Sequence, residues 1–306
     1  MENAPHLSVL YNEVLSALSP VSPNKYVDGT AGAGGHSFGI LQACAPQGEV
    51  LSIDLDPVAL DLAGKRLAEF GRRSHLVHGS YADLPEYMAA LGWQKISGFL
   101  LDLGVSSMQL DMPEKGFSFR QDAPIDMRFN PSAPLTGAEL LNESDESELT
   151  QILWEYGEEQ HARRIVRVII QNRPITSTLQ LAGLIEKAVG RRGGIHPATK
   201  TFQALRIAVN EELDNLKDVL PLAVEALEPG GRIAIISFHS LEDRIVKHFF
   251  VDESKDCICP PEQPICTCDH QARLKIITRH PIEAGEEETQ GNPRARSAKL
   301  RVAERI

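Results

Sequence analysis

Along the first third of the chain, apolar residues fall alternately at helix spacing and at strand spacing. From His6 to Leu18 the residues Leu7, Leu10, Val14, Leu15 and Leu18 share one helical face, and Pro20 and Pro23 end the pattern. Tyr26 and Val27 then begin a short strand that closes on Asp28 and a run of glycines. Ser37 to Ala45 predicts a first crossover helix, Val50 to Ile53 a second strand, and Pro57 to Phe70 another helix with proline in its first turn. His75 to His78 predicts a third strand. The unbroken apolar run from Ile96 to Leu103 suits a strand buried on both faces.

From about Asp111 the alternation stops. Helical patterns run through 137–141, 146–156, 159–172, 178–189 and 200–208, and Ser144 to Leu149 supplies a helix start with acids in its first turn. After Asn210 come an amphipathic helix to Leu227, a Pro229-Gly230-Gly231 turn, a strand over 232–236, a helix over 241–250, and strands over 274–278 and 299–303. The pattern predicts an α/β sheet domain in two parts, 1–110 and 210–306, interrupted by an inserted helical domain over 111–209. No internal repeat or low-complexity tract is present.

The turn KYVDGTAGAGGHS (25–37) carries the first chemistry. Gly29, Gly32, Gly34 and Gly35 let backbone approach a ligand closely, as in the strand-to-helix turn of nucleotide-binding folds. A tight turn in any doubly wound sheet is the alternative. The acid Asp28 precedes the glycines, in the order Asp-x-Thr-x-Gly-x-Gly, and the second strand ends in Asp54-Leu55-Asp56-Pro57. A carboxylate at the end of the second strand accepts hydrogen bonds from ribose hydroxyls in both nicotinamide and S-adenosylmethionine enzymes. The early acid favours S-adenosylmethionine, whose ammonium needs a nearby anion and which has no pyrophosphate to seat on a helix N-terminus.

Further candidates stand on the same sheet edge. Tyr81 could flank an adenine and Asp83 meet its amino group, or both could be plain surface residues. The fourth strand delivers Asp102 to the edge where open α/β sheets bind ligands, with the polar loop Gly104 to Leu110 beyond it; a structural acid is the alternative. His239 has the edge position and near-neutral ordinary pKa of a base, or it hydrogen-bonds the following turn. Asn210 and Glu211 are read as joining the domains.

With 306 residues, 24% charged and 42% hydrophobic, the chain has an ordinary globular composition and length for a full core. The absence of a long apolar run and of a signal-like start makes a cytoplasmic location the expectation. A net charge of −11 argues against a uniformly basic nucleic-acid binder but leaves room for a local basic face. The helical insertion holds Arg163, Arg164, Arg167, Arg173, Arg191, Arg192, Lys200 and Arg206, with Gly193-Gly194 as a phosphate-seeking loop; RNA docking is preferred over a solvated helical surface. The tail from Asn292 carries five basic residues against Glu304, read equally as RNA contact or solvated strand.

Four of the five cysteines crowd together as Cys257-x-Cys259 and Cys266-x-Cys268 around a proline-rich loop, while Cys44 reads as a small apolar helix residue. Metal comes before disulfide for reduced thiols. Cys-x-Cys is less diagnostic than Cys-x-x-Cys, so a four-sulfur zinc site and an unliganded loop both remain open.

Eight ordered segments, DGTAGAGGHS, IDLDP, LLDLGVSSMQLD, GFSFR, DMR, HPATKTFQALRIAVNEEL, SFHSLEDRIVK and NPRARSAKLRVAER, span nearly the whole chain. Together they resemble the bacterial ribosomal RNA small-subunit methyltransferase H family, also called MraW. The resemblance implies a class I S-adenosylmethionine methyltransferase fold, Rossmann-like with a mostly parallel seven-stranded sheet, and an inserted all-helical substrate-recognition domain. It implies transfer of a methyl group from S-adenosyl-L-methionine to the exocyclic N4 of cytidine 1402 in 16S rRNA, within the small ribosomal subunit.

Carried over by motif, Gly34, Gly35 and His36 would line the donor, Asp54 would hold its ribose, Tyr81 would pack near its adenine, and Asp102 and Gln109 would complete the pocket. Many relatives carry phenylalanine where Tyr81 stands, which keeps the ring. Exocyclic-amine methyltransferases often place Asn/Asp-Pro-Pro-aromatic after the fourth strand; here Asp102-Leu103-Gly104-Val105 lacks the prolines and the ring. Asp102 is therefore a candidate acceptor for the amino hydrogen, and Phe238 or His239 for stacking the base. The competing expectations are methylation of another RNA or of a protein, a non-catalytic ribosome-assembly factor, and a nicotinamide dehydrogenase, for which no second mononucleotide half is visible.

Overall fold

The computed structural model describes residues 8–191, 194–260, 263 and 265–306. Two compact units result: Met1–Gly104 joined with Asp214–Ile306, and Val105–Leu213.

The first part of the sheet unit runs α1 (Tyr11–Leu18), β1 (Lys25–Asp28), α2 (Gly35–Ala43), β2 (Glu49–Asp54), α3 (Pro57–Leu67), β3 (Ser74–His78), α4 (Leu84–Ala90) and β4 (Ile96–Asp102). The second unit holds α5 (Ser107–Leu110), α6 (Gly137–Glu143), α7 (Glu146–Glu155), α8 (Ala162–Gln171), α9 (Thr178–Val189) and α10 (Ala198–Val209). The chain then continues through α11 (Glu212–Ala226), β5 (Leu227–Ser237), α12 (Ser240–Glu253), β6 (Leu274–Ile276), β7 (Ile282–Glu283), α13 (Glu286–Gly291) and β8 (Lys299–Arg305).

The sheet order is β3-β2-β1-β4-β5-β8-β6, with β7 pairing off the path onto β8. Strands β3, β2, β1, β4 and β5 are parallel, and β8 runs antiparallel to β5 and β6. Seven strands thus lie on the main path of a Rossmann-like sheet, with a two-residue eighth beside them. The continuous apolar runs have a physical cause. Val27, Phe99, Leu101, Ile233 and Ile235 enter the core on one face of the sheet. Their neighbours Tyr26, Leu100, Ala234 and Ile236 enter the core on the other. A period of two with both faces covered leaves few places for a polar residue.

Two elements were invisible to periodicity. Helix α4 buries only Leu84 and Met88, and α5 is one turn within what reads as a polar loop. The Pro229-Gly230-Gly231 turn lies inside β5, where the pairing with β4 shifts register between Ile96 and Gly98, as at a β-bulge.

The helical unit has its own core, including Leu141, Leu149, Leu153, Ile165, Ile169, Leu181, Ile185 and Leu205. Three of its helices start on side-chain caps. Thr136 and Glu139 form a capping box on α6, Asp145 rather than Ser144 caps α7, and Ser177 caps α9. Among the described residues no helix is long and apolar enough to cross a membrane.

Candidate functional site

Strand β1 lies between β2 and β4, so successive crossovers leave it in opposite directions and a crevice opens at the carboxyl ends. Three acids stand at those ends. Asp28 is fully buried. Its Oδ1 accepts from the Thr30 backbone N–H at 3.2 Å, and its Oδ2 accepts from the Ser37 hydroxyl at 2.6 Å. Burial raises its pKa, against the lowering influence of His36 and of both hydrogen bonds. Asp28 therefore shapes the turn from within.

Asp54 does the same from β2. Its Oδ2 accepts from the Gly32 N–H at 2.7 Å and its Oδ1 from the Asp56 N–H at 2.8 Å. Burial pushes its carboxyl up from 3.8 to about 6, although the two backbone donors pull the other way. Asp56, also buried, caps α3 by accepting from the Val58 N–H at 3.0 Å. Gly32 has φ +51° and open space where a Cβ would stand, so the backbone here faces outward unshielded.

Asp102 ends β4 differently. Its backbone N–H donates to the Thr30 hydroxyl oxygen at 2.6 Å, which ties the glycine turn to β4. Its carboxylate lies 3.7 Å from Nε2 of His36, whose side chain is 4% exposed at the start of α2 and stacked on Tyr11. Asp102 Oδ1 and both ring nitrogens of His36 are buried without a hydrogen-bond partner. Buried polar atoms are normally paired, so three such atoms together at the crevice mark a place shaped for a ligand.

Tyr81 opens a 3₁₀ turn after β3 and packs against the sheet core, its Cβ about 3.1 Å from where a Gly29 Cβ would stand. Asp83 accepts from the Tyr87 hydroxyl at 3.2 Å. Gly34 gives its N–H to Ala31 O at 2.8 Å, and a Cβ there would meet the Ala63 backbone of α3 at 3.2 Å. A Cβ on Gly35 would run into the Ser8 hydroxyl. Both glycines thus serve close packing of α2. The structure brings His36, Asp54, Tyr81 and Asp102 to one sheet edge. Gln109 belongs to the helical unit, where its side chain accepts from the Ser106 N–H at 3.0 Å and its own N–H donates to the Ser106 hydroxyl at 3.2 Å.

Thr30 and Tyr11 were missed. Thr30 sits in the Asp-x-Thr spacing and was legible as a turn residue; Tyr11 carried no signal, because its stacking on His36 is a tertiary contact.

Other candidates turn out to hold the fold. His239 caps α12, its Nδ1 accepting from the Glu242 N–H at 3.4 Å while Glu242 accepts from the backbone of Phe238 and His239. Its Nε2 lies 3.1 Å from Glu242 without hydrogen-bonding geometry. Arg301 of the basic tail is buried in a two-pronged pair with Asp243, at 2.6 and 3.1 Å. Asn210 donates to the Met127 carbonyl and accepts from the Phe129 N–H. The DMR motif forms a local ion pair, in which burial raises the Asp126 pKa less than the Arg128 hydrogen bonds lower it.

The basic residues of the helical unit serve several places. Arg173 donates to the carbonyls of Leu141 and Ser144, and Arg206 forks onto Glu212. Arg163, Arg164 and Arg167 instead line a groove of about 1060 Å³ with His161 and Trp154, whose indole is exposed. Arg167 pairs there with Glu146 at 3.5 Å, and Glu155 and Glu159 also line the groove. Arg192 and Gly193 lie outside the described residues.

The profile of the MraW methylase family matches residues 3–306. A ribosomal RNA small subunit methyltransferase H from Heliobacterium modesticaldum is 51% identical over 308 residues, covering 98% of each chain. One from Dehalococcoides mccartyi is 52% identical across 99% of this chain and 87% of its own. Another, from Trichlorobacter lovleyi, is 51% identical across the full length of both.

Proposed function

The chain belongs to the MraW methylase family, and on that premise we propose that it methylates small-subunit ribosomal RNA at the exocyclic N4 of cytidine 1402. It is a methyltransferase, and S-adenosyl-L-methionine is its donor. The observation that carries the site assignment is the group of three unpartnered buried atoms on His36 and Asp102 at the sheet crevice.

The residues fit that donor. When bound, S-adenosyl-L-methionine supplies a methyl group made electrophilic by its sulfonium. Asp54 keeps free lone pairs on oxygens already oriented by Gly32 and Asp56, which suits ribose hydroxyls. Tyr81 offers a ring beside the glycine turn for adenine. With Asp28 engaged by Thr30 and Ser37, Asp102 is the acid left to face the cationic end of the donor. Asp102 would also accept the hydrogen that the cytosine amino group loses as its new carbon–nitrogen bond forms. Alignment of the two reactants supplies much of the rate, with an upper range of about 7–11 kcal/mol.

The helical unit is the substrate-recognition part of this reading, and its 111–209 span would dock RNA. An exposed Trp154 among Arg163, Arg164 and Arg167 suits a splayed base and its phosphates, through stacking and charge.

Methyl transfer from labelled donor to small subunits lacking the modification, followed by nucleoside analysis, tests the proposal. A single N4-methylated cytidine is the expected product. Label on free RNA or protein but not on subunits would move the substrate elsewhere, and donor binding without transfer would favour an assembly role.

A further inference from the structure

The segment between α12 and β6 has an unusual balance of order. Its ends are clamped, because Arg273 donates to Glu253 through two nitrogens at 2.5 and 2.8 Å and its N–H meets the Glu253 carbonyl at 2.8 Å. His270 and Ala272 add bonds back to Asp252 and Asp256. Among the described residues between the clamps the apolar side chains stand open, with Ile258 48% exposed and Ile265 73% exposed. Hydrophobic burial therefore does not hold this excursion together.

Its four cysteines nevertheless converge. The sulfurs of Cys257, Cys259, Cys266 and Cys268 all lie within 4.8 Å of one another. Cys257 and Cys266 are 3.5 Å apart, Cys266 and Cys268 3.6 Å, and Cys257 and Cys268 3.8 Å. A disulfide needs about 2.0 Å between sulfurs. Four sulfurs bound at about 2.3 Å to a tetrahedral zinc ion stand about 3.8 Å apart along each edge. The measured separations match the second geometry and not the first. The Thr267 N–H points at Cys259 Sγ from 3.5 Å, the kind of outer hydrogen bond that tempers charge on a metal-bound thiolate. Thiols are weak hydrogen-bond partners, so four of them, two exposed and two half-buried, have little reason to gather without an ion.

We propose that Cys257, Cys259, Cys266 and Cys268 bind one zinc ion as a closed four-thiolate site that staples the α12–β6 excursion. All four positions around the ion are filled by protein, so the role is structural rather than catalytic. Thiolates select zinc or iron in tetrahedral surroundings; zinc is the commitment here. None of the residues assigned to methyl transfer takes part, so the proposal stands apart from that function.

The test uses the full chain, purified under reducing conditions without a metal-affinity tag and then exposed to zinc and desalted. About one zinc per chain is expected. Cobalt in its place should give the intense thiolate-to-cobalt charge transfer and visible bands of a tetrahedral four-sulfur site. Cys257→Ser and Cys268→Ser should each lose most of the zinc, whereas Cys44→Ala, at the buried fifth cysteine, should keep it. Absence of stoichiometric zinc in the wild-type chain, stoichiometric iron instead, or two disulfides by mass analysis of the protein as isolated would overturn the proposal.

Discussion

At the ends of β1 and β2, Asp28 and Asp54 give both carboxylate oxygens to the chain itself, whereas at the end of β4 Asp102 keeps a buried oxygen with no protein partner. The three acids share a sheet edge, and the sequence points Asp28 at the donor's ammonium, Asp54 at its ribose and Asp102 at the pocket or a structural role. Their surroundings separate the tasks. Acids that hold backbone N–H groups set the shape of the glycine turn, Asp54 with lone pairs to spare, while Asp102 keeps a buried oxygen that the chain leaves unpaired. His36 belongs with Asp102, since its ring is buried, stacked on Tyr11, and unpaired at both nitrogens.

The sharpest break in that comparison comes from Asp102→Ala. It should lower the methyl-transfer rate by about 10²-fold or more, the scale of losing one aligned group in a reaction that depends on positioning. Because Asp102 Oδ1 is unpaired, thermal stability without donor should stay close to that of the wild type. A rate near wild type would remove Asp102 from the chemistry, and a large stability loss would make it a scaffold residue like Asp28.

Asp28→Ala should act the other way round. It leaves the Thr30 N–H without its acceptor, at about 1–3 kcal/mol, whereas the Ser37 hydroxyl keeps the Ser52 hydroxyl at 2.8 Å and loses less. Denaturant unfolding should show the loss, and Asp28→Asn, which keeps an acceptor for Thr30, should recover much of it. Should Asp28→Ala prove fully stable yet fail to bind donor, the division between scaffold and ligand acids is wrong.

The smallest effect is a pH signature at Asp54. Its folded-state pKa is raised from 3.8 to about 6 by burial, so the folded chain holds that proton more tightly than the unfolded chain. The resulting stability is complete below 3.8 and is lost as pH rises through about 6. Melting temperatures of Asp54→Asn, measured without donor, should gain on those of the wild type between these two values and then run parallel. A difference independent of pH would show that Asp54 is not held in the raised state.

Much of the sheet was legible in the sequence, because β1, β2, β4 and β5 are covered on both faces and therefore read as apolar runs ending in polar residues. The family resemblance, carried by ordered motifs, pointed to the right family. Short elements escaped: α4 has one buried pair and α5 a single turn, too little for a period to emerge. Polar motifs were legible as motifs but not as roles. SFHSLED leaves His239 open between a base and a hydrogen bond to the next turn, and it folds as a capping box on α12; the tail's Arg301 is open between RNA contact and solvated strand, and it is buried against Asp243.

The sequence alone determined the alternation of strands and helices, the glycine turn with its flanking acids and the family, because each is written in local spacing or in the order of motifs. Tertiary structure alone decided which acid is engaged and which is open, which arginines brace the helices and which line a groove, and that the four cysteines meet. A side chain's chemistry depends on which atoms from distant segments reach it. That pairing exists only once the chain has folded.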